Sequence, residues 1–156
     1  MHAYVSHLPD PAHQPEFYAS VPTKRALAWV VDMLVTVVLL LPALVMTAFI
    51  GLFFLPFLYM TVGFIYRVVT IASGSATWGM RLMSIELRDA QGARFDFGQA
   101  FLHTAGYTFS LVMAPLQLVS ALFMCATDRG QGLTDLVMGS VMINRRLRPL
   151  LKRLLT

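Results

Sequence analysis

The stretch TKRALAWVVDMLVTVVLLLP, Thr23 to Pro42, decides how the rest of the chain is read. It opens on two cations, Lys24 and Arg25, and then runs apolar except for Asp32. Such a segment predicts a membrane-crossing helix whose basic end is anchored by side chains that reach the headgroups. A charge near a bilayer centre costs roughly 2.5–3.5 kcal/mol on insertion scales, so Asp32 marks a place of function or of helix partnership. Arg25 lies about 10 Å back along the same helix face, too far to serve it directly. The partner of Asp32 must come from elsewhere, and the candidates are Arg67, Arg81 or a hydroxyl such as Thr70.

Outward from this stretch, Met33 to Tyr66 contains no Asp, Glu, Lys or Arg. As one helix the apolar run would reach about 60 Å, twice a ~30 Å hydrocarbon core, so it must fold into two. The break is placed near Gly51, with helices over Lys24–Ile50 and Leu52–Ala72, and with Pro42 and Pro56 kinking or capping them. Composition agrees: 57% of residues are hydrophobic, only 13% are charged, and mean hydropathy is +0.67. These values describe a polytopic membrane protein. At 156 residues it is one unit of three or four helices, so a pore or carrier would need an oligomer. The single cysteine, Cys125, excludes an internal disulfide and a cysteine-based metal site, and reads as a small buried or lipid-facing residue.

Residues 1–22 read as a flexible polar tail, in which His2, His7 and His13 do not amount to a metal site; residues 23–144 form the membrane domain, and 145–156 a basic interfacial tail. After the second helix, Met83, Ile85 and Leu87 alternate with polar residues, DAQG follows as a turn, and Phe95 and Phe97 alternate with Arg94 and Asp96. That pattern predicts a short β-hairpin on the cytoplasmic side, with Val141 to Ile143 as a third strand against it. Asp96-Phe97-Gly98-Gln99 has the spacing of a capping box that starts a third helix near Gly98.

Gly98 to Thr127 is again free of Asp, Glu, Lys and Arg. All twelve Lys and Arg fall in the N-terminal flank, in or near the central loop, or after this third region. The positive-inside rule puts all three groups on the cytoplasmic side and requires an even number of crossings. This favours a helical hairpin bent near Pro115, shallow or re-entrant, over one tilted helix, which stands as the alternative. The tail RRLRPLLKRLLT, from Arg145, suits an interfacial segment drawn to anionic lipid. The expected fold is therefore an all-α polytopic membrane protein: two long transmembrane helices, a third Pro-broken apolar region and a small β-hairpin.

The residues also carry a resemblance. KRALAWVVD resembles the start of the RDD family of small bacterial membrane proteins, named for one arginine and two aspartates, through Arg25 and Asp32. TWGMRLMSIELRDAQGARFDFGQA resembles the family's hydrophilic loop through Thr77, Gly79, Arg81, Phe97, Gly98, Gln99 and Ala100. LTDLVMGSVMI resembles its closing motif, with Asp135 as the second aspartate and Gly139 in place. Met80 stands where a Lys is common, and Thr134 where a His often precedes the Asp. The resemblance covers roughly Pro22 to Asn144 and implies a multi-pass protein for which transport is suggested.

Two function classes follow. In one, the protein is a transport module for a proton, small cation or solute, with intramembrane carboxylates as the binding groups. In the other, it is a structural or accessory membrane protein whose buried Arg and Asp residues fix helix packing and partner binding. The candidate cluster in both is Arg25, Asp32 and Asp135, supported by Arg67, Arg81, Gly79 and Gln99. Enzymatic chemistry has no motif behind it: there is no metal-ligand pair at helical spacing, nucleophile elbow or phosphate loop, and His103 is assigned an interfacial hydrogen bond. No metal or other cofactor is expected. The expected partners are the bilayer, anionic lipid at the basic tail, and a second copy or another membrane protein, but not nucleic acid. The expected location is the inner cell membrane with both termini cytoplasmic.

Overall fold

A computed structural model of the protein describes residues 8–145; His2, His7 and the basic tail from Arg146 onward lie outside the described residues. The first long helix, α1, runs Val21–Met46, with a proline in its first turn and Pro42 inside it. Pro22 costs nothing there because the N–H groups of a helix's first turn have no helical partner. The second helix, α2, spans Leu55–Gly74. A 3-10 turn at Ile50–Phe54 joins them, entered through left-handed Ala48 and Phe49. The reversal is tight enough that a Cβ on Gly51 would meet Leu58 at 2.6 Å and Thr47 at 2.9 Å, which is why the break falls there.

Both helices are long and apolar enough to cross a membrane. Leu34, Val38, Leu41 and Val45 present an exposed apolar face on α1. In water such a face would be an association surface; against acyl chains it is the solvated one.

Left-handed Ser75 ends α2, and Thr77 caps the short helix α3, Trp78–Leu82, by accepting from the Met80 N–H. Strand β1, Ile85–Arg88, follows. The capping box forms: Asp96 accepts from the Gln99 N–H at 2.7 Å while Gln99 accepts from the Asp96 N–H at 3.1 Å, and α4 runs Phe97–Val112. Helix α5, Ala114–Ala126, turns away from it by 117°. Helix α6, Leu133–Met138, ends on left-handed Gly139 and leads into β2, Val141–Asn144.

The sheet differs from the sequence expectation in its partners. β1 pairs antiparallel with β2, Ile85 opposite Asn144 and Arg88 opposite Val141, and no strand forms over Arg94 to Phe97. Asp89 closes the intervening turn onto the Gln91 and Ala93 N–H groups, and the Phe95 N–H bonds Ser75 Oγ while its ring is buried. Those groups are therefore spent before a hairpin ladder can use them. One sheet face joins the main core, through Ile85, Leu87 and Met142, beside Val21 and Ile71. The other, through Val141 and Ile143, packs on Leu8, Phe17 and Tyr18. Residues 8–20 are thus docked rather than free, because the sheet's second apolar face needs a cover.

Candidate functional site

Asp32 is 3% exposed, at the middle of the contact between α1, α2 and α3. Its Oδ1 accepts from the Tyr66 hydroxyl at 2.7 Å and the Gly79 N–H at 2.9 Å, and its Oδ2 from the Thr77 hydroxyl at 2.6 Å. Gly79 is required by closeness: a Cβ there would lie 2.2 Å from the Ala28 carbonyl oxygen and 2.8 Å from Asp32 Oδ1. The Thr-x-Gly spacing thus supplies a hydroxyl and a bare N–H to one carboxylate. Arg67 is the nearby cation, at 3.6 Å, with its guanidinium 4.1 Å above the Tyr107 ring. Tyr107 in turn accepts from Trp29 Nε1 at 2.7 Å, tying α4 to α1.

Two proposed partners of Asp32 act elsewhere. Arg81 turns back onto the end of α2, donating to the Ala76 and Thr70 carbonyls and to Ser73 Oγ, where cations satisfy unpaired C-terminal carbonyls. Thr70 donates to the Tyr66 carbonyl within its own helix.

Asp135 is fully buried. Arg25 Nη1 donates to its Oδ2 at 2.5 Å, and the Gly132 N–H to the same oxygen at 3.0 Å. His103 Nε2 lies 2.9 Å and Ser140 Oγ 3.2 Å from Oδ1. An ionised carboxylate only accepts, so His103 carries a proton on Nε2. Its Nδ1 is buried with no hydrogen-bond partner among the described residues. Burial alone would raise the Asp135 pKa; Arg25, His103 and the Gly132 N–H outweigh it and hold the carboxyl below the usual carboxylate range. The imidazole that a His at position 134 would offer comes instead from α4, while Thr134 packs over Gly106.

The three residues of the candidate cluster therefore form two knots. Arg25 and Asp135 are joined; Asp32 has its own set of donors. Arg25 and Asp32 line a common cavity of about 350 Å³, shared with Arg67, His103 and Tyr107. Asp32 and Arg67 also border a second cavity, about 150 Å³, on the α2 side. Gln99 stands apart, bonded to Asp89 at 3.1 Å.

Tyr66 and Tyr107 were not singled out by sequence reading; the only available signal was an aromatic residue beside Arg67 at the end of the charge-free run. Glu86 was missed as well. It is buried against Arg88, with Arg94 and Arg145 each 3.9 Å from Oε2, so it gathers three arginines from the polar layer. No group of three or more His, Cys, Asp and Glu side chains suited to a metal ion occurs among the described residues.

Long apolar helices pinned at one end by buried carboxylates define a multi-pass membrane protein. The chain belongs to the RDD family, which it matches over residues 19–139. No curated protein and no solved structure matches it.

Proposed function

We propose that this RDD protein is a structural or accessory membrane protein, in which the buried Arg and Asp residues lock the helices around a membrane-facing cavity. One observation carries this reading: every oxygen of Asp32 and Asp135 already accepts a hydrogen bond from the protein. A carboxylate that carries cargo needs lone pairs to offer: Asp135 accepts from Arg25, Gly132, His103 and Ser140, and Asp32 from Tyr66, Gly79 and Thr77, all fixed groups of the protein. Replacing either aspartate by Asn should lower thermal stability in detergent, and the parent in proteoliposomes should show no flux of Na⁺, K⁺ or H⁺ under any gradient. Unchanged stability with loss of a pH-coupled flux would reverse the assignment.

A second reading, transport of a proton or small cation, draws on the position of Asp32 and Arg67 at the border of both cavities. Under it, Asp32 exchanges its donors for cargo as the two cavities connect in turn, within an oligomer.

In either case the basic groups face the cytoplasm and the number of crossings is even. The 117° bend between α4 and α5 supports this, since arms of about 24 and 20 Å are each shorter than a ~30 Å core. The partners proposed are anionic lipid at the basic tail and a second copy or another membrane protein on the apolar faces.

A further inference from the structure

Arg67 differs from the other buried arginines in what it lacks. Arg25, Arg81 and Arg88 each donate hydrogen bonds to protein acceptors. The Arg67 side chain is only 11% exposed, yet its guanidinium makes no hydrogen bond among the described residues. Asp32 attracts it from 3.6 Å, but that carboxylate's bonds go to Tyr66, Thr77 and Gly79. The Tyr107 ring stabilises the cation's face and accepts none of its in-plane N–H groups. A guanidinium presents five donors in a flat fork matched to oxyanions, and that of Arg67 is left free to donate into the cavity it lines.

Arg67 lines the 350 Å³ cavity together with Arg25 and Asp32, whose charges are spent on Asp135 and on the Tyr66, Thr77 and Gly79 donors; the walls are otherwise mainly apolar, Ala26, Met80, Ala121 and Met142 among them. That volume is at the lower end of small-molecule sites, roughly 300–1,000 Å³. His103, 4% exposed, lines the same cavity and has the unpartnered Nδ1. The lining thus supplies unspent polar groups on Arg67 and His103, and most of the remainder supplies adaptable apolar surface.

We propose that this cavity binds a single-chain carboxylate amphiphile, its head on the Arg67 guanidinium and its apolar chain along the α1 and α5 walls. The inference rests on the proposed locking role, because Asp32 and Asp135 keep their own donors and leave Arg67 as the recognition group.

Cys125, the chain's single cysteine, is exposed and lines the same cavity, so its reactivity reports occupancy. The full chain in phosphatidylcholine nanodiscs, at mildly alkaline pH, is treated with N-ethylmaleimide in the presence of decanoate, decanol or acetate. Decanoate should slow Cys125 labelling about tenfold, with decanol and acetate nearly without effect. Arg67→Lys keeps the charge, loses the fork and should weaken protection about tenfold. Ala121→Phe fills the cavity from the α5 wall and leaves every polar side chain in place; it should abolish protection with the melting temperature retained, and it decides the matter if the Arg67 variant fails to fold. Equal protection by decanol, no protection by decanoate, or protection surviving in Ala121→Phe would each overturn the proposal. Protection by phosphatidylglycerol nanodiscs without decanoate would overturn the single-chain assignment in favour of a phospholipid. The locking role is read separately, from the stability of the aspartate variants.

Discussion

Arg25 and Asp135 stand 110 positions apart and meet at 2.5 Å, so the start of the first membrane helix is fastened to the segment that precedes the last strand. The carboxylate is fully buried and the guanidinium nearly so. Removing one partner from such a pair leaves an uncompensated charge, which is far costlier than the pair itself is valuable. Asp135→Asn should therefore destabilise the protein by about 3 kcal/mol, measured by thermal unfolding in detergent. Arg25→Gln in the same background should then cost little more, as the two act as a unit.

The same pair sets a pH dependence. The Asp135 carboxyl is held below its ordinary value of 3.8 in the folded protein, so its contribution is complete above that value and is lost as pH falls through the folded one. The gap in melting temperature between parent and Asp135→Asn should be constant between about pH 5 and 8 and should narrow below about pH 4. A gap that grows on acidification would contradict this assignment of the charge.

Gly79 should tolerate no side chain. Ala at this position drives a methyl into the Ala28 carbonyl and against Asp32, and only backbone movement of α3 relieves it. Overpacking of this kind costs about 1–3 kcal/mol, and the Gly79 N–H bond to Asp32 is weakened as well. Gly79→Ala should accordingly lower the melting temperature, with little further loss when combined with Asp32→Asn.

Tyr66→Phe removes one donor to Asp32 and the acceptor of the Trp78 N–H together. Hydrogen bonds to charged groups contribute about 1.5–3 kcal/mol, and a loss in that range is expected from denaturant melts. In a double-mutant cycle with Asp32→Asn, the coupling should exceed about 0.5 kcal/mol.

Sidedness is open to a direct chemical check. In a Cys125→Ala background, Ala12→Cys and Gln91→Cys, both exposed at the basic end, should resist a membrane-impermeant thiol reagent in intact cells and react after permeabilisation. Labelling of either in intact cells would place the basic end outside.

Much of the helical frame was legible because its signals are local. The charge-free run from Met33 to Tyr66 exceeds one bilayer, Gly51 has no side chain to obstruct a reversal, and Asp96 with Gln99 spells a cap within four residues. The sheet was not legible in the same way. Alternation at Arg94 to Phe97 looks like the second arm of a hairpin, but β1 finds its partner at Val141 to Asn144, across three helices. Nothing local distinguishes a strand's neighbour in sequence from its neighbour in space. The site shows the same division. Arg25, Asp32 and Asp135 stood out as charges beside apolar runs, whereas Tyr66, Tyr107 and the His103 bond to Asp135 depend on how separate helices meet. The candidate cluster divides in two for a related reason: Asp32 obtains its donors from Tyr66 and the Thr77 to Gly79 turn, so it has no need of Arg25.

The wide separation of Arg25 and Asp135 also orders the making of the protein. The hairpin of α1 and α2 carries no charge at its tip, from Met33 to Tyr66, and can enter the bilayer without taking an ion across. Arg25 emerges from the ribosome long before Asp135, and β1 long before β2. Until those later residues are synthesised, the nascent chain holds an inserted hairpin with an unmatched guanidinium and an unpaired strand edge. The closing motif is therefore the latch of the assembly, and a chain truncated before Leu133 would present both as unfinished surfaces to the cell's quality control.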